Sequence, residues 1–318
     1  MLQRAVTDLG ADMPYAKVMD KLVEHYGLVL GESTIRKVTL THAHAIHQRS
    51  GGFAQGLPEP VAATAVTFVA EIDGTMVPTV RSGQGDGVSA DRRKSKTVQW
   101  QEAKVSLAHA QGSTQMAYGA TLLGDVDTAG RQLRACAKRA GFGRGHRVHA
   151  VGDGAPWIAA QVKQRFGSQG SYLLDFYHVC EYLSDAAKAT SQEPLAQQAW
   201  FNVQKQRLKD QHTDAVLNAL HDHLEPAQTE DDQAPVRRCH RYLIQRLQQL
   251  DYRSAIDMGL PIGSGEIESA HRYLVQKRLK VPGAWWLAAN AEHMLALRVN
   301  RANGEWQDYW ATEYRYAA

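Results

Sequence analysis

Three acidic residues have the chemistry and the spacing to bind divalent metal ions. Asp73 ends the apolar, strand-like run of residues 66–73, and Asp153 ends a similar run that begins at His149. In both segments, residues that favour β-structure lead to a carboxylate, and the glycine that follows allows a sharp turn. Further along, Glu268 lies near the start of a predicted helix. Oxygen ligands of this kind suit Mg²⁺ or Mn²⁺, and paired ions of this type promote phosphodiester chemistry.

Each of these acids also has an ordinary structural interpretation. An Asp-Gly pair after a strand is usually only a turn, because both residues favour turn geometry. The combination of two predicted strand ends with a later helix-borne glutamate is what favours an acidic pocket. Helix geometry does not choose between Glu266 and Glu268, which lie roughly 200° apart around a helix and flank its apolar stripe almost symmetrically. Arg272, four residues after Glu268, is placed to hold that carboxylate in one rotamer.

The N-terminal region predicts two helices joined by a short turn. Apolar residues recur at helical spacing over residues 15–26, and Gly27 can end that helix. A second helix begins near residues 31–38. A helix-turn-helix would expose four residues at the start of this second helix, where base edges are read: Ser33, Thr34, Arg36 and Lys37. A helical hairpin used only for packing or dimerisation explains the pattern equally well.

The rest of the chain predicts an α/β fold. Strand patterns cover residues 64–73, 76–81 and 98–110, and the first two are close enough to form a hairpin. A helix near 126–140, the strand ending at Asp153, a further helix and a strand at 171–175 follow. This order is that of a ribonuclease H-like fold, a mixed sheet flanked by helices. The predicted regions are a helix-turn-helix at 1–50, a linker at 51–62, the first part of a catalytic core at 63–180, an all-helical insertion at 181–262, the return of the core with the third acid at 263–303, and a tail at 304–318.

The distribution of charge indicates a polyanionic partner. The formal net charge of the 318 residues is only +3, which by itself says little. Residues 131–147, however, contain no acid, and further basic groups occupy residues 92–96, 237–241 and 272–280. Neutralisation of phosphates by such groups dominates affinity for nucleic acids. Outside the N-terminal helices, the residues that we expect to contact DNA are Arg131, Arg134, Lys138, Arg139 and Arg272.

Cysteine usage and hydropathy suit a cytoplasmic protein. The three cysteines are far apart and form no CxxC pair, which argues against a structural zinc site or a disulfide framework. No signal segment opens the sequence, and its most apolar stretch, residues 61–70, is too short to span a bilayer. We expect a location in the cytoplasm, in association with the nucleoid, and no membrane partner.

Two further residues could assist at an active site. His178, in an Asp-x-x-His pattern after the last predicted strand, could position DNA or a nucleophile, although Asp175 is better explained as a cap. Trp157 could stack on a flipped base, as could Trp285 and Trp286. Packing in the core is the more ordinary role for at least two of these three tryptophans.

Five segments together resemble a known family. They are Glu-Ile-Asp-Gly at residues 71–74, Gly-Asp-Gly-Ala-Pro-Trp-Ile at 152–158, Leu-Asp-Phe-Tyr-His-Val at 174–179, Gly-Ser-Gly-Glu-Ile-Glu-Ser at 263–269 and Lys-Val-Pro-Gly-Ala-Trp-Trp at 280–286. The chain resembles, over almost its whole length, the ISKra-type insertion-sequence transposases and more distantly the ISLre-type ones. Both belong to the DDE group of ribonuclease H-like recombinases.

The resemblance implies an activity and a set of ligands. Asp73, Asp153 and Glu268 would be the DDE residues, and the resemblance is what selects Glu268 over Glu266. They would hold two Mg²⁺ ions, for which Mn²⁺ can substitute. One ion would activate water or a DNA 3′-hydroxyl while the other stabilises the leaving oxygen. The reaction would be hydrolytic nicking at transposon ends, then strand transfer into target DNA. The partners would be double-stranded DNA and at least one more copy of the chain.

Two other functions fit the same features. A catalytically inactive regulator could use the N-terminal helices and basic groups to bind DNA, although retaining three mutually repelling carboxylates is costly without metal. A structure-selective nuclease, such as a junction resolvase, could share the fold, although a sequence reader and a large helical insertion disfavour it. Family members often carry a longer N-terminal region, so we also expect this copy to be shortened.

Overall fold

The protein is described here by a computed structural model that covers residues 1–50, 66–82 and 96–316. The predicted linker at 51–62 and most of the basic group at 92–96 lie outside the described residues. Helices α1 (Leu2–Asp12), α2 (Tyr15–Tyr26) and α3 (Glu32–Ser50) open the chain. The predicted helix over residues 15–26 is confirmed, and Gly27 ends it in the left-handed conformation, with φ of 63°.

Between residues 67 and 190, three successive strands are followed by helices that alternate with two further strands. They are β1 (Thr67–Ser82), β2 (Lys96–Ala110), β3 (Ala117–Thr121), α4 (Val126–Arg139), β4 (Arg147–Gly152), α5 (Pro156–Phe166), β5 (Gly170–Leu174) and α6 (Phe176–Thr190). The five strands form one mixed sheet in the order β3-β2-β1-β4-β5. Strand β2 is antiparallel to β3, whereas β4 is parallel to both β1 and β5. The fold is therefore mixed α/β, as the sequence predicts.

The remaining elements are helical. They are α7 (Pro194–Lys209), α8 (Thr213–His221), α9 (Pro235–Ile244), α10 (Tyr252–Asp257), α11 (Gly265–Ala270), a π-helical segment (His271–Gln276), α12 (Lys277–Leu279), α13 (Ala288–Ala302) and α14 (Trp306–Tyr316). No helix within the described ranges is long and apolar enough to cross a membrane.

The predicted hairpin between residues 64–73 and 76–81 is wrong. These residues form the single strand β1, and Asp73 lies inside it rather than at its end. Gly74 does not turn the chain. A Cβ atom there would lie 2.3 Å from Oε1 of Glu102 on β2, so this glycine makes room for a neighbouring side chain. The third strand of the sheet is β3, which was not predicted because three of its five residues, Ala-Tyr-Gly-Ala-Thr, are alanine or glycine, types that are depleted in strands.

The chain divides into two compact units. The first unit contains the described residues of Met1–Thr64, Ile72–Arg144 and Glu266–Ala318. Helix α3 packs here against α1 and α13, around a core that includes Ile46, Leu274 and Leu295. The buried carboxylate of Glu292 on α13 accepts hydrogen bonds from the backbone N–H groups of Leu122 (2.5 Å) and Leu123 (3.1 Å), which fixes that helix at the end of β3.

The second unit contains the described residues of Ala65–Glu71 and Gly145–Gly265. Helix α6 packs against α7 and α9, and α8 packs against α9. Its core includes Leu174, Phe176, Leu243 and Tyr252. The predicted all-helical insertion corresponds here to the helices from the end of α6 to α10.

Candidate carboxylate site

Asp73 contacts a buried histidine within the first unit. Its Oδ2 atom lies 3.4 Å from Nε2 of His271, whose side chain is 2% exposed, while the side chain of Asp73 is 25% exposed. Side chains alternate along a strand, so Asp73 and Thr75 share one face of β1. The Oγ1 atom of Thr75 accepts a hydrogen bond from Nζ of Lys280 at 2.8 Å. A carboxylate, an imidazole and an ammonium group therefore line this part of β1.

The helix that follows Gly265 separates its two glutamates. Oε2 of Glu266 lies 2.7 Å from Nε2 of His109 on β2, and Nδ1 of the same ring lies 2.9 Å from the carbonyl oxygen of Ala110. Both ring nitrogens thus face oxygen acceptors, as in an imidazolium paired with a carboxylate. Glu268 is exposed and lies one helical turn before His271. The spacing of three residues puts Glu268 on the same helix face as His271, the residue that contacts Asp73.

The expected contact between Arg272 and Glu268 does not form. Both side chains are exposed, and no ion pair joins them in the described part of the chain. The physical reason is that an exposed pair of long side chains gains little from Coulomb attraction and loses side-chain entropy. His271, which no sequence motif indicated, lies beside Asp73. Its spacing of three residues from Glu268 was the available signal.

The π-helical segment is stabilised by a buried arginine. Arg298 on α13 is 2% exposed, and its guanidinium donates to the backbone carbonyls of Leu274 (2.8 Å) and Tyr273. It also donates to Oδ1 of Asp12 at 2.8 Å. A side chain that bonds carbonyls inside a helix can disrupt the regular ladder, and π-helical turns are frequent at functional sites. This segment begins at His271, the residue that contacts Asp73.

Asp153 lies in the second unit, in a turn held by two aromatic residues and an arginine. Gly154 has φ of 87°, so the predicted sharp turn is confirmed at this aspartate. The backbone carbonyl of Asp153 accepts from the hydroxyl of Tyr242 at 2.6 Å, and the N–H of Gly154 donates to the hydroxyl of Tyr172 at 3.0 Å. Burial raises the pKa of both tyrosines, which keeps both hydroxyls protonated.

Arg246 completes the support of this turn. Its Nε and Nη2 atoms both donate to the carbonyl of Gly154, at 3.0 and 2.9 Å. The guanidinium also lies over the ring of Tyr242, 4.1 Å from the centroid, and that ring stacks on Tyr182 at 4.1 Å. Both Tyr242 and Arg246 come from the helical insertion. The insertion therefore fixes the backbone that carries Asp153, a role that no sequence pattern indicated.

Asp175 is the N-cap of helix α6 rather than the cap of the preceding strand that the sequence favours. Its Oδ1 atom accepts from the backbone N–H groups of Tyr177 (2.6 Å) and His178 (3.1 Å), at the start of α6. Its Oδ2 atom accepts from the N–H of Ser264 at 2.8 Å and from the Ser264 hydroxyl. The buried carboxylate thus fixes the residues that precede α11.

His178 and the three tryptophans that could assist at an active site have different surroundings. Nδ1 of His178 lies 3.2 Å from Glu181, and its ring contacts Tyr182 and Tyr242 edge-on. Trp157 is half-buried on α5. Trp286 is buried in the core of the first unit, whereas Trp285 is 57% exposed.

The residues that are predicted to contact DNA differ in their exposure and in whether an acidic side chain pairs with them. Four of them are exposed at the start of α3, as predicted: Ser33, Thr34, Arg36 and Lys37. On α4, Arg131 is paired with Asp127, and Arg139 is paired with Glu305. Arg134 and Lys138 are half-buried. The basic run of α4 is therefore partly neutralised by acids that lie outside it in the sequence.

Asp73 and the helix that carries Glu268 come together in the first unit, and Asp153 belongs to the second. Carboxylate oxygens at Asp73 and Glu268 are donors of the type that hard divalent cations prefer. Within residues 1–50, 66–82 and 96–316, no group of three or more histidine, cysteine or acidic side chains is arranged to hold a metal ion.

Comparison with known proteins assigns the chain to a family. A comparison with curated proteins finds no match. The model of an uncharacterised protein family, UPF0236, matches residues 144–313, slightly more than half of the chain. The matched region begins before Asp153 and extends beyond the helix that carries Glu268. The protein therefore belongs to the family UPF0236.

Proposed function

We propose that this protein is a DDE transposase of the ISKra type, with a ribonuclease H-like core, that cleaves transposon ends and joins them to target DNA. The observation that carries the proposal is the contact of Asp73 with His271, one helical turn after Glu268. Two of the three acids that the resemblance selects, far apart in sequence, are thereby placed on neighbouring elements of one unit. The competing glutamate, Glu266, is engaged elsewhere by His109.

The sheet supports the same proposal. Strand β4 runs parallel to β1, with Glu71 opposite Val151. The mixed strand order, with an antiparallel β2–β3 pair on one side of β1 and parallel strands β4 and β5 on the other, supports the proposal of a ribonuclease H-like core.

Asp73, Asp153 and Glu268 would hold the divalent ions. Bound there, Mg²⁺ or Mn²⁺ would supply Lewis acidity and an activated oxygen nucleophile. His271 would fix the rotamer of Asp73, and the turn held by Tyr242 would fix the backbone of Asp153. Lys280, which donates to Thr75 on the same face of β1 as Asp73, would offer a positive charge to a DNA phosphate.

DNA binding would come from other surfaces. The exposed start of α3 would act as the reading helix of a helix-turn-helix, with Arg36 and Lys37 on phosphates or base edges. Arg272, exposed on the segment that begins at His271, would contact DNA close to the carboxylates. Pairing two transposon ends requires at least a dimer on DNA, and the site of action would be the nucleoid.

A cleavage assay tests the proposal. The substrates are a duplex with the DNA that flanks this reading frame and a four-way junction of unrelated sequence, each with Mg²⁺, with Mn²⁺ or with chelator. We expect metal-dependent nicking of the flanking duplex by the wild-type protein and none by Asp73→Ala or Asp153→Ala. Each loss removes a metal ligand and with it several kcal/mol of transition-state stabilisation.

The isosteric variants Asp73→Asn and Asp153→Asn provide the control for folding, because they preserve shape but weaken metal binding. Both should bind the flanking duplex as the wild type does. Preference for the junction would favour a structure-selective nuclease. Metal-independent binding without any cleavage by the wild type would favour a regulator, and cleavage by Asp73→Ala would contradict the assignment of the site.

A further inference from the structure

A cavity of about 360 Å³ lies in the first unit, away from the carboxylates. The N-terminal helices contribute Tyr15 and Arg36, and the segment after α12 contributes Trp285 and Trp286. Its volume is within the range of roughly 300 to 1,000 Å³ that is usual for small-molecule sites. None of the residues that we place in the carboxylate site lines this cavity.

A tight turn presents one tryptophan to solvent and its neighbour to the core. The N–H of Ala284 donates to the carbonyl of Val281 at 2.9 Å, with Pro282 and Gly283 between them. Gly283 has φ of 77°, as a type II turn requires at this position. The extended backbone that follows pairs with β1, where the N–H of Val80 donates to the carbonyl of Trp286 at 2.8 Å.

The consequence of this extended backbone is that the two indoles point in opposite directions. Successive side chains of an extended segment lie on opposite faces. Trp286 is 6% exposed, and Trp285 is 57% exposed at the edge of the cavity. An aromatic ring held at the mouth of a cavity is a platform on which a flat ligand can stack.

Three buried polar groups, on residues that line the cavity, have no hydrogen-bond partner in the described part of the chain. They are Nη2 of Arg278, Nε1 of Trp286 and the hydroxyl of Tyr15. Arg278 is 2% exposed, and its guanidinium lies between the rings of Tyr15 (4.8 Å) and Trp286 (4.7 Å). Its Nε donates to the carbonyl of Gly10 at 3.0 Å, which fixes its position.

These groups specify the chemistry of a ligand. The arginine and indole nitrogens can only donate, and a tyrosine hydroxyl can also donate. Leaving buried donors unpaired costs free energy, so the cavity suits a ligand with oxygen acceptors. Among the described residues that line it, the exposed cations Arg36 and Lys96 outnumber the one acid, Glu32. This excess of positive charge favours an anionic ligand.

We propose that this cavity binds one unpaired nucleotide of a DNA strand. The base would stack on Trp285, and its carbonyl oxygens would accept hydrogen bonds from Arg278 and Trp286. The phosphate would pair with Arg36 and Lys96. An aromatic platform, buried donors and two cations on one cavity match the flat base, the base oxygens and the phosphate of a nucleotide. The inference rests on the proposed function for the source of that nucleotide, which is DNA.

Metal-free binding measurements test this inference. The full chain, with chelator present, is titrated into a fluorescently labelled oligothymidylate of about eight nucleotides, a typical length for single-strand binding sites. We expect Trp285→Ala to weaken binding by roughly 5-fold to 100-fold, the loss usual for one base–aromatic stack, and Trp285→Phe to restore most of it. Trp100→Ala is the matched control, because Trp100 is 61% exposed and does not line the cavity.

An abasic oligonucleotide of the same length separates base recognition from phosphate binding. It should bind more weakly than oligothymidylate, and Trp285→Ala should not weaken it further. Free thymidine monophosphate should compete with oligothymidylate only at much higher concentration, because one nucleotide of a strand gains from neighbouring phosphates. Competition at equal concentration would assign the cavity to a free nucleotide and overturn the inference.

Other results would also overturn it. Unchanged binding by Trp285→Ala, an equal loss in Trp100→Ala, or equally tight binding of the abasic strand would each exclude a nucleotide in this cavity. None of these outcomes depends on metal or on cleavage. A wild-type protein that binds as expected but cleaves nothing would contradict the proposed transposase and leave this site standing.

Discussion

Nε2 of His271 lies 3.4 Å from Oδ2 of Asp73, although the histidine side chain is almost completely buried. No hydrogen bond to either ring nitrogen is found in the described part of the chain, so the carboxylate of Asp73 is the charged group that the ring contacts. His271 begins the π-helical segment whose carbonyls at Tyr273 and Leu274 accept hydrogen bonds from Arg298. The pair therefore connects the fold of the first unit to the orientation of a candidate metal ligand.

Replacing His271 should affect catalysis more than binding. His271→Leu removes the contact with Asp73, so that carboxylate gains rotamer freedom, and we expect about a tenfold or greater loss of cleavage rate. His271→Gln keeps a polar group near Asp73 and should lose less. The measurement is single-turnover cleavage over a range of Mg²⁺ concentrations. A positioning role predicts that His271→Leu needs more Mg²⁺ for half-maximal rate. An unchanged Mg²⁺ dependence would show that His271 serves only packing.

The parts of the fold that the sequence predicted have strong local signals. Residues 15–26 have a single apolar stripe, and Gly27 follows it, so α2 was predicted at its observed bounds. The carboxylates at Asp73 and Asp153 stood out because β-favouring residues precede them. These signals depend on residues within a few positions of one another.

The parts that could not be predicted depend on contacts between distant residues. The sequence predicts a turn at Gly74, whereas in the fold this glycine makes room for the side chain of Glu102. The π-helical segment exists where Arg298, on another helix, bonds its carbonyls. Tyr242 and Arg246 reach the turn at Asp153 from the helical insertion. A pattern along the chain contains no information about which distant side chain supplies such a bond.

Gly154→Ala should destabilise the second unit by more than the backbone conformation alone explains. A Cβ atom there would lie 2.5 Å from Leu174, 2.7 Å from the Tyr242 hydroxyl and 2.8 Å from Nε of Arg246. Gly145→Ala is the matched control, because Gly145 has a similar φ of 85° and nothing lies within 4 Å of its Cβ position. We expect a loss of about 1 to 2 kcal/mol in the control.

Gly154→Ala has the same unfavourable backbone conformation as the control, and its new methyl group must also displace Leu174, Tyr242 and Arg246. The loss in free energy of unfolding should therefore exceed that of the control by about 1 to 3 kcal/mol. Urea denaturation of both variants measures the difference. Equal losses would mean that Leu174, Tyr242 and Arg246 move aside freely and do not hold the turn.

Arg36→Ala combined with Lys37→Ala should weaken binding of the flanking duplex and flatten its salt dependence. Each phosphate contact that is lost should lower the slope of log affinity against log salt by roughly 1. Lys17→Ala combined with Lys21→Ala removes the same charge from exposed residues of α2 and is the control. An unchanged slope in the Arg36 and Lys37 variant would favour a helical hairpin used only for packing.

Stability should fall as the pH decreases below about 6.5, in part because of His149. This side chain is 5% exposed, its Nε2 lies 2.8 Å from the carbonyl of Pro261, and burial lowers its pKa below the ordinary value of 6.5. The unfolded state then binds the proton more readily, so this contribution is complete above pH 6.5 and is lost as the pH falls through the folded-state pKa. Urea denaturation between pH 7.5 and pH 5 should show a smaller decrease for His149→Gln than for the wild type, and parallel curves would contradict this assignment.

Glu268→Gln should eliminate cleavage and strand transfer, whereas Glu266→Gln should leave most of both. The two glutamates are close in sequence, equal in charge and nearly symmetrical about the apolar face of their helix. Their surroundings differ, however. Glu266 is engaged by His109 at 2.7 Å, and Glu268 is exposed one turn before His271, which contacts Asp73. No ion pair to Glu268 is found in the described part of the chain, and its spacing puts it on the same helix face as His271.

The readout is strand transfer of a pre-nicked flanking duplex in Mg²⁺, with thermal unfolding measured on the same samples. Glu266→Gln replaces a charged hydrogen bond by a neutral one, so it should lower stability by about 1 to 2 kcal/mol while activity persists. Glu268→Gln should leave stability unchanged, because this exposed carboxylate has no ion-pair partner among the described residues. If Glu266→Gln were inactive at full stability and Glu268→Gln active, the third acid of the site would be Glu266, and His109 would then be part of the site beside it.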